Sequence, residues 1–282
     1  MTCPAEFSYG SHTSDCDLPA HERRECVTLS VTCCRGSGPG VVKIPCRWQA
    51  AQEFRRTFVD DVLMRAPLFA VLDSEGAAAL KSSMDETRLV KGDILFSEGD
   101  AGDRLYVVTE GKIKLSHASG DGRETLLAVM GEGQMFGELS LFDPGPRTAT
   151  ASALTDVTVL GLGHQALRPW LTGRPEVAEA LLQALARRLR RTNETLSDLV
   201  FSDVPGRVAK ALLDLGERFG HMEPDGLHVT HDMTQEELAQ LVGASRETVN
   251  KALADFVSRG WLRLESRSVV LLDTERLQRR AR

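Results

Sequence analysis

The period of the apolar pattern changes along the chain. Between residues 87 and 162 apolar residues come in short runs, "DRLYVV", "KIKL", "TLLAVM" and "TVLGL", separated by glycines. Strand-length runs at turn-limited spacing predict a small all-β barrel or jelly roll. From 174 to 203 the pattern switches. "RPEVAEALLQALARRLRRTNETLSDLVFSD" contains no glycine, and no proline after Pro175, which suits the first turn of a helix. Val177, Leu181, Ala184, Arg188, Thr192, Leu196 and Leu199 follow steps of three and four, with Leu185 and Leu189 beside them. A helix this long, leaving a compact β domain, predicts a two-helix coiled coil between subunits. The alternative is a long helix packed within one subunit.

Beyond residue 203 the periods alternate. "VPGRVAKALLDLGERF" reads as an amphipathic helix with Asp203 as its N-cap. "TQEELAQLVGASRETVNKALADFVSRG" reads as two helices joined at "VGAS", with Thr234 and Glu237 as a capping box. "WLRLESRSVVLLD" reads as an alternating strand pair, a wing. Small Ala239 and turn-forming Gly243 permit a steep helix crossing. Leu238, Val242, Ala244, Val249 and Ala252 supply its buried positions. That leaves Ser245, Arg246, Glu247, Thr248, Asn250 and Lys251 at the start of the second helix. Such side chains reach base edges in a major groove, Arg to guanine and Glu to cytosine N4. The competing reading is a solvated helical hairpin with its charges outward.

The resulting fold class is α+β: a jelly roll over 58–173, a dimerisation helix over 174–203 and a winged helix-turn-helix domain over 204–282. Residues 1–57 have little periodicity and many turn formers, and read as a disordered or spurious extension. Translation beginning near Val59 or Met64 would account for them. All six cysteines lie there, from Cys3 to Cys46, irregularly spaced and without a C-x-x-C, so no metal site is expected.

Composition narrows the function classes. The 282 residues are 42% hydrophobic and 26% charged, the profile of folded domains, with a net charge of −6. That charge argues against wholesale attraction to nucleic acid but leaves room for a local base-reading surface. No apolar run approaches the roughly 18–20 residues of a membrane span, and the first residues lack the order of a secretory signal. A cytoplasmic protein without membrane contact is expected. No nucleophile–base pair, metal cluster or P-loop is visible, so no catalytic residue is named and the chain is not expected to be an enzyme. His117, His164, His221, His228 and His231 are scattered and read as surface or core histidines.

One stretch carries ligand chemistry. "GELSLFDPGPRTATA" (137–151) places Glu138 and Arg147 nine residues apart across a turn stiffened by Pro144, Gly145 and Pro146. A surface ion pair there would mean little. A forked guanidinium, however, matches the two free oxygens of a phosphodiester, and a carboxylate, being an acceptor only, selects a hydroxyl.

"GELSLFDPGPRTA", the helix ending "RRTNETLSDLVFSDVPGR" and "GASRETVNKALADF" resemble the cyclic-AMP receptor branch of the CRP–Fnr regulators, particularly its actinobacterial members. The resemblance spans about 59–282 and leaves 1–57 uncovered. It implies a cAMP-responsive dimeric transcription factor that binds inverted-repeat operators. Gly137 and Glu138 would meet the ribose, Arg147 and Thr148 the cyclic phosphate, and Thr192 and Asn193 the base, with Leu139 and Ser140 also in the ligand site. Arg246, Glu247 and Lys251 would read DNA. Two positions depart from the enterobacterial pattern: Asn193 stands where serine is usual and Lys251 where arginine is. Arg147-Thr148-Ala149 is similar to the cassette that favours cGMP in cyclic-nucleotide kinases, and Asn193 suits adenine or guanine. The alternatives are therefore a regulator of the same fold that senses another ligand such as cGMP, or one that binds DNA independently of nucleotide. The implied partners are double-stranded DNA, a second copy of the chain and RNA polymerase, whose contact surface has a candidate in the turn at 222–226.

Overall fold

A computed structural model describes residues 59–120, 124–143 and 145–282; the extension at 1–57 and Pro144 lie outside the described residues. The chain divides by its contacts into residues 1–49 and 50–282, and the described residues all belong to the second unit.

The glycine-punctuated runs form two antiparallel four-stranded sheets. One has the order β1 (Asp85–Leu89), β8 (Val157–Gly163), β3 (Arg104–Glu110), β6 (Met135–Phe136). The other has the order β2 (Ile94–Phe96), β7 (Thr150–Ala153), β4 (Ile113–Ala118), β5 (Glu124–Met130). Apart from β4 and β5, strands that are neighbours in sequence fall in different sheets, as in a jelly roll. Val108, Ile113, Phe136, Ala151, Val157 and Val159 are buried between the sheets. Helix α1 (Ser74–Ser82), capped by Asp73, precedes the roll; the short α2 (Leu139–Phe142) and α3 (His164–Gly173) complete it.

Helix α4 (Pro175–Phe201) has 27 residues, with Pro175 in its first turn. Its apolar positions divide between two faces, which corrects the single stripe. Val177 and Leu181 are buried against Leu105, Leu160 and Leu167 of the roll. Leu182, Leu189, Leu196 and Leu199 are exposed. With Leu185 and Thr192 they repeat as 182, 185, 189, 192, 196, 199, the alternating steps of three and four of a coiled-coil seam. The helix breaks at Ser202, and Asp203 caps α5 (Val204–Phe219) by accepting from the Gly206 N–H.

Helix α6 (Gln235–Val242) carries the capping box of Thr234 and Glu237 and ends at Gly243, whose φ of 70° is the left-handed region glycine enters most readily. Helix α7 (Arg246–Ser258) is capped by Ser245, and α8 (Thr274–Arg280) closes the chain. The wing is larger than the two strands expected. β11 (Leu262–Glu265) and β12 (Ser268–Leu271) are joined by β10 (Gly226–Thr230) and β9 (Gly220–Glu223) in a four-stranded sheet. The turn expected at 222–226 is thus the tip of a β9–β10 hairpin. Its strands are too short and too polar to show an alternating pattern in sequence.

Charged clasps fasten this C-terminal half to the rest. Lys112 of the β3–β4 turn donates to the Thr230 carbonyl and to Asp232; Lys114 of β4 pairs with Glu237 at 2.7 Å. Burial disfavours the Glu237 carboxylate, but the bonds from Lys114 and the Thr234 N–H outweigh it and lower its pKa. Arg218 donates to the Val129 carbonyl and to Gln134. Arg207 spreads one guanidinium over three carbonyls: Ser202 at 2.9 Å, and Val242 and Gly243 at 3.1 Å each.

His231 is buried and accepts from the Met233 N–H through Nδ1. Burial lowers its pKa below the usual 6.5. Between the folded and unfolded values the unfolded chain holds more protons, so stability rises with pH there. The stabilisation is present above pH 6.5 and is lost as pH falls through the lower folded value. Thermal melts at about pH 7.5 and about pH 5.5 should therefore show a larger loss on acidification in the wild type than in His231→Asn. Equal losses would show that His231 does not carry this dependence.

Candidate ligand and nucleic-acid sites

Arg147 lines a cleft and Glu138 is bonded to Arg188 of the same lining, but the two are not each other's partners. Glu138, at the N-terminus of α2, is 2% exposed, and Arg147, on the segment leading into β7, is 4% exposed. A charge this deep needs compensation. Glu138 receives it from Arg188 of α4, whose Nη1 lies 2.7 Å from Oε1. Arg147 has no carboxylate within ion-pair distance among the described residues. Its Nη1 donates to the Arg104 and Gly137 carbonyls, both at 2.9 Å. Its guanidinium lies 4.2 Å from the Phe96 ring centroid and 5.7 Å from that of Tyr106, so two aromatic faces share the charge.

Each group keeps an unsatisfied atom. Glu138 Oε2 and Arg147 Nε are buried without a hydrogen-bond partner. Buried polar atoms are rarely left so unless something else meets them. The cleft is lined by Phe96, Gly137, Ser140, Arg147, Thr148 and Arg188 among others, and has a volume of about 30 Å³. A larger cleft of about 240 Å³ lies on the outer face of the roll by Lys91, Lys114 and Glu237. It lacks the arginine–carboxylate pairing, and Lys114 there is already held by Glu237.

Glycines make the arginine's seat. A Cβ on Gly102 would stand 2.4 Å from Ser140 Cβ and 2.9 Å from Arg147 Nε. One on Gly137, at φ +79°, would stand 2.9 Å from Arg147 Nη1.

The second site is α7. Ser245, Arg246, Glu247, Thr248 and Lys251 are exposed on its first turns, while Val249, Ala252 and Leu253 anchor its other face. Ala239 is buried, as the close helix crossing requires. Glu247 and Lys251 pair at 2.7 Å, a solvent-exposed pair at i, i+4. Asn250 is half-buried, with Oδ1 unsatisfied.

Both halves match described domains. A cyclic nucleotide-binding domain matches residues 86–172, and a Crp-like helix-turn-helix domain matches residues 206–280. A "CRP-like cAMP-activated global transcriptional regulator" of Mycobacterium tuberculosis is 56% identical over 224 residues, 79% of this chain and all of that protein. The chain belongs to the CRP family of transcriptional regulators. A "Cyclic AMP receptor protein" of Thermus thermophilus is 36% identical over 213 residues, 74% of this chain and 95% of that one. The crystal structure of a CRP/FNR-family transcriptional regulator from the same species is 30% identical with a TM-score of 0.59, covering 70% of this chain and 98% of its own.

Within the CRP-family frame, the structure brings Gly137, Leu139, Ser140, Arg147 and Thr148 to one cleft, with Glu138 bonded to its lining arginine. Thr192 and Asn193 lie a turn further along α4, exposed; Thr192 donates to the Arg188 carbonyl. Arg188 was the residue that periodicity concealed. It occupies a step of the helix stripe, yet its side chain reaches Glu138, and one arginine among the four of "ARRLRR" carries no signal of such a contact. Phe96 and Tyr106 were likewise invisible as partners of Arg147, because strand aromatics read simply as core.

Gly137→Ala should lower stability through its left-handed backbone, which costs about 1–2 kcal/mol for a residue with a Cβ. For a domain of this size that is about 2–8 °C in the melting midpoint. An unchanged midpoint in a thermal scan would show that Arg147 and the backbone yield freely at this position.

Proposed function

We propose that this CRP-family chain is a dimeric, cytoplasmic transcription factor that binds cAMP between the roll and α4 and reads an inverted-repeat operator through α7. The observation that carries the ligand half is the buried, unpartnered Nε of Arg147, which lines the cleft, together with the unpartnered Oε2 of Glu138, whose other oxygen is held by Arg188 of the same lining. cAMP supplies a cyclic phosphodiester with one negative charge and a ribose 2′-hydroxyl. Arg147 would hold the phosphate, with Thr148 and Ser140 beside it, while Gly137 removes the side chain that would obstruct. Glu138 would accept from the hydroxyl, with Leu139 flanking. Thr192 and Asn193 would meet the base from α4.

Glu138 makes α4 responsive. Its carboxylate anchors Arg188 of that helix, so a hydroxyl that takes its lone pairs alters the anchor as well. The exposed leucines of α4 provide the seam for a second copy. A ligand touching both roll and seam favours whichever arrangement it binds better, and shifts the population accordingly. As a regulator of transcription the protein would meet RNA polymerase, with the β9–β10 hairpin and its exposed Met222 as the candidate surface.

Isothermal titration with cAMP and cGMP tests this reading. Wild-type protein should bind cAMP more tightly than cGMP. Arg147→Leu should weaken cAMP binding about 10–150-fold, the loss of one charge-assisted hydrogen bond worth about 1.5–3 kcal/mol. The melting curve should show the variant folded. Near-native affinity in Arg147→Leu would remove the phosphate assignment, and tighter binding of cGMP would replace the ligand.

Glu247→Ala should change which sequences are bound more than overall affinity. A carboxylate is repelled by phosphates and belongs in a groove only where a base donor such as cytosine N4 satisfies it. Removing it also frees Lys251 from its pair. Competition among operators substituted symmetrically at each position should show discrimination lost at one base pair per half-site, worth about 1–3 kcal/mol. A uniform loss with the preference profile intact would assign Glu247 a structural role.

A further inference from the structure

The histidines that look scattered in sequence are not all apart in space. We propose that the β9–β10 hairpin holds a divalent transition-metal ion of the zinc class, ligated by His221, Glu223 and His228. His221 and His228 are directly opposed across the two strands, with ring centroids 5.6 Å apart. Glu223, two residues from His221 on β9, shares its face. The donor atoms of all three lie within 4.8 Å of one another. His221 Nε2 is 2.9 Å from one Glu223 oxygen, and His228 Nε2 is 3.6 Å from the other. A tetrahedral ion with bonds of about 2.0–2.1 Å sets its ligand atoms about 3.3 Å apart. Each imidazole lies near that spacing from one of the two Glu223 oxygens, so one carboxylate spans both rings.

Asp225 stands at the edge of this trio, close to one of its rings. Asp225 Oδ1, at the hairpin tip, lies 2.7 Å from the same His228 Nε2. Its other oxygen lies 2.8 Å from Arg263 of β11, which also reaches Glu265 at 3.2 Å. With neutral imidazoles, Glu223 and Asp225 bring two negative charges, which a divalent ion balances. Arg263 and Glu265 offset each other alongside. Two imidazoles and carboxylate oxygens, with no thiolate, suit zinc and its neighbours nickel and copper(II). The hairpin sits on the DNA-binding half, on a different sheet from the cleft at Arg147, so this site stands independently of the ligand assigned there.

The test uses the full chain with its cysteines blocked by iodoacetamide, since all six lie in residues 1–46 and offer thiolates of their own. Zn²⁺ is titrated in competition with a chromophoric chelator. The blocked wild type should bind one Zn²⁺ per chain. His221→Ala and Glu223→Gln should each weaken binding by more than the roughly 10–100-fold that loss of an outer-shell partner costs. Both positions are exposed, and a melting curve without metal checks that each variant folds. Zn²⁺ should raise the wild-type midpoint but leave that of His221→Ala unchanged. Absence of stoichiometric binding in the blocked wild type, or equal binding by the variants, would overturn the proposal.

Discussion

A buried guanidinium with no carboxylate at ion-pair distance among the described residues is the constraint around which the roll is arranged. Arg147 is almost fully enclosed, and its charge is met by dipoles and ring faces: two backbone carbonyls and the aromatic ring of Phe96, with Tyr106 behind. Each supporting group has its own requirement. Gly102 and Gly137 must lack side chains. Phe96, Tyr106 and Phe136 form a continuous aromatic cluster, with centroids 5.5–6.1 Å apart. The Arg147 N–H bonds to the Asp100 carbonyl, and the Gly99 N–H to the Arg147 carbonyl, so the backbone is fixed from both sides.

Glu138 extends that arrangement outward. It lies one residue from Gly137, whose carbonyl holds Arg147, and it is held in turn by Arg188. Helix α4 is therefore tied to the cleft by a charge and to the roll by Val177 and Leu181, while its leucine seam faces away. Three interactions of different physical kind meet on one helix, which explains why its apolar positions fall on two faces.

Much of this was legible in the sequence. The strand runs, the long helix, the Asp203 and Thr234 caps and the glycine at 243 are local signals, because each depends on residues within a turn or two of itself. The stretch holding Glu138 and Arg147 stood out because its residue types suit a ligand with both a hydroxyl and a phosphate. What escaped was nonlocal. Arg188 finds Glu138 fifty positions away, and the clasps of Lys112 and Lys114 join a strand to residues beyond position 230. Strands β9 and β10 were missed because "GHME" and "GLHVT" are short and mostly polar, held by the pairing of β9 with β10 and of β10 with β12 instead of by a periodic face of their own. His221 and His228 became neighbours only through that pairing.

Arg207 has a consequence for how this molecule can respond. One planar group bonds the carbonyl at the break after α4 and the two carbonyls that end α6. Three bonds from a single rigid fork share one geometry, so they cannot be stretched one at a time. Turning α5 relative to α4 either leaves the fork seated or unseats it altogether. Partial rotations would strand polar atoms without partners, at a cost of about 1–3 kcal/mol for each one buried. The joint therefore couples the orientations of α4, α5 and α6 through one side chain.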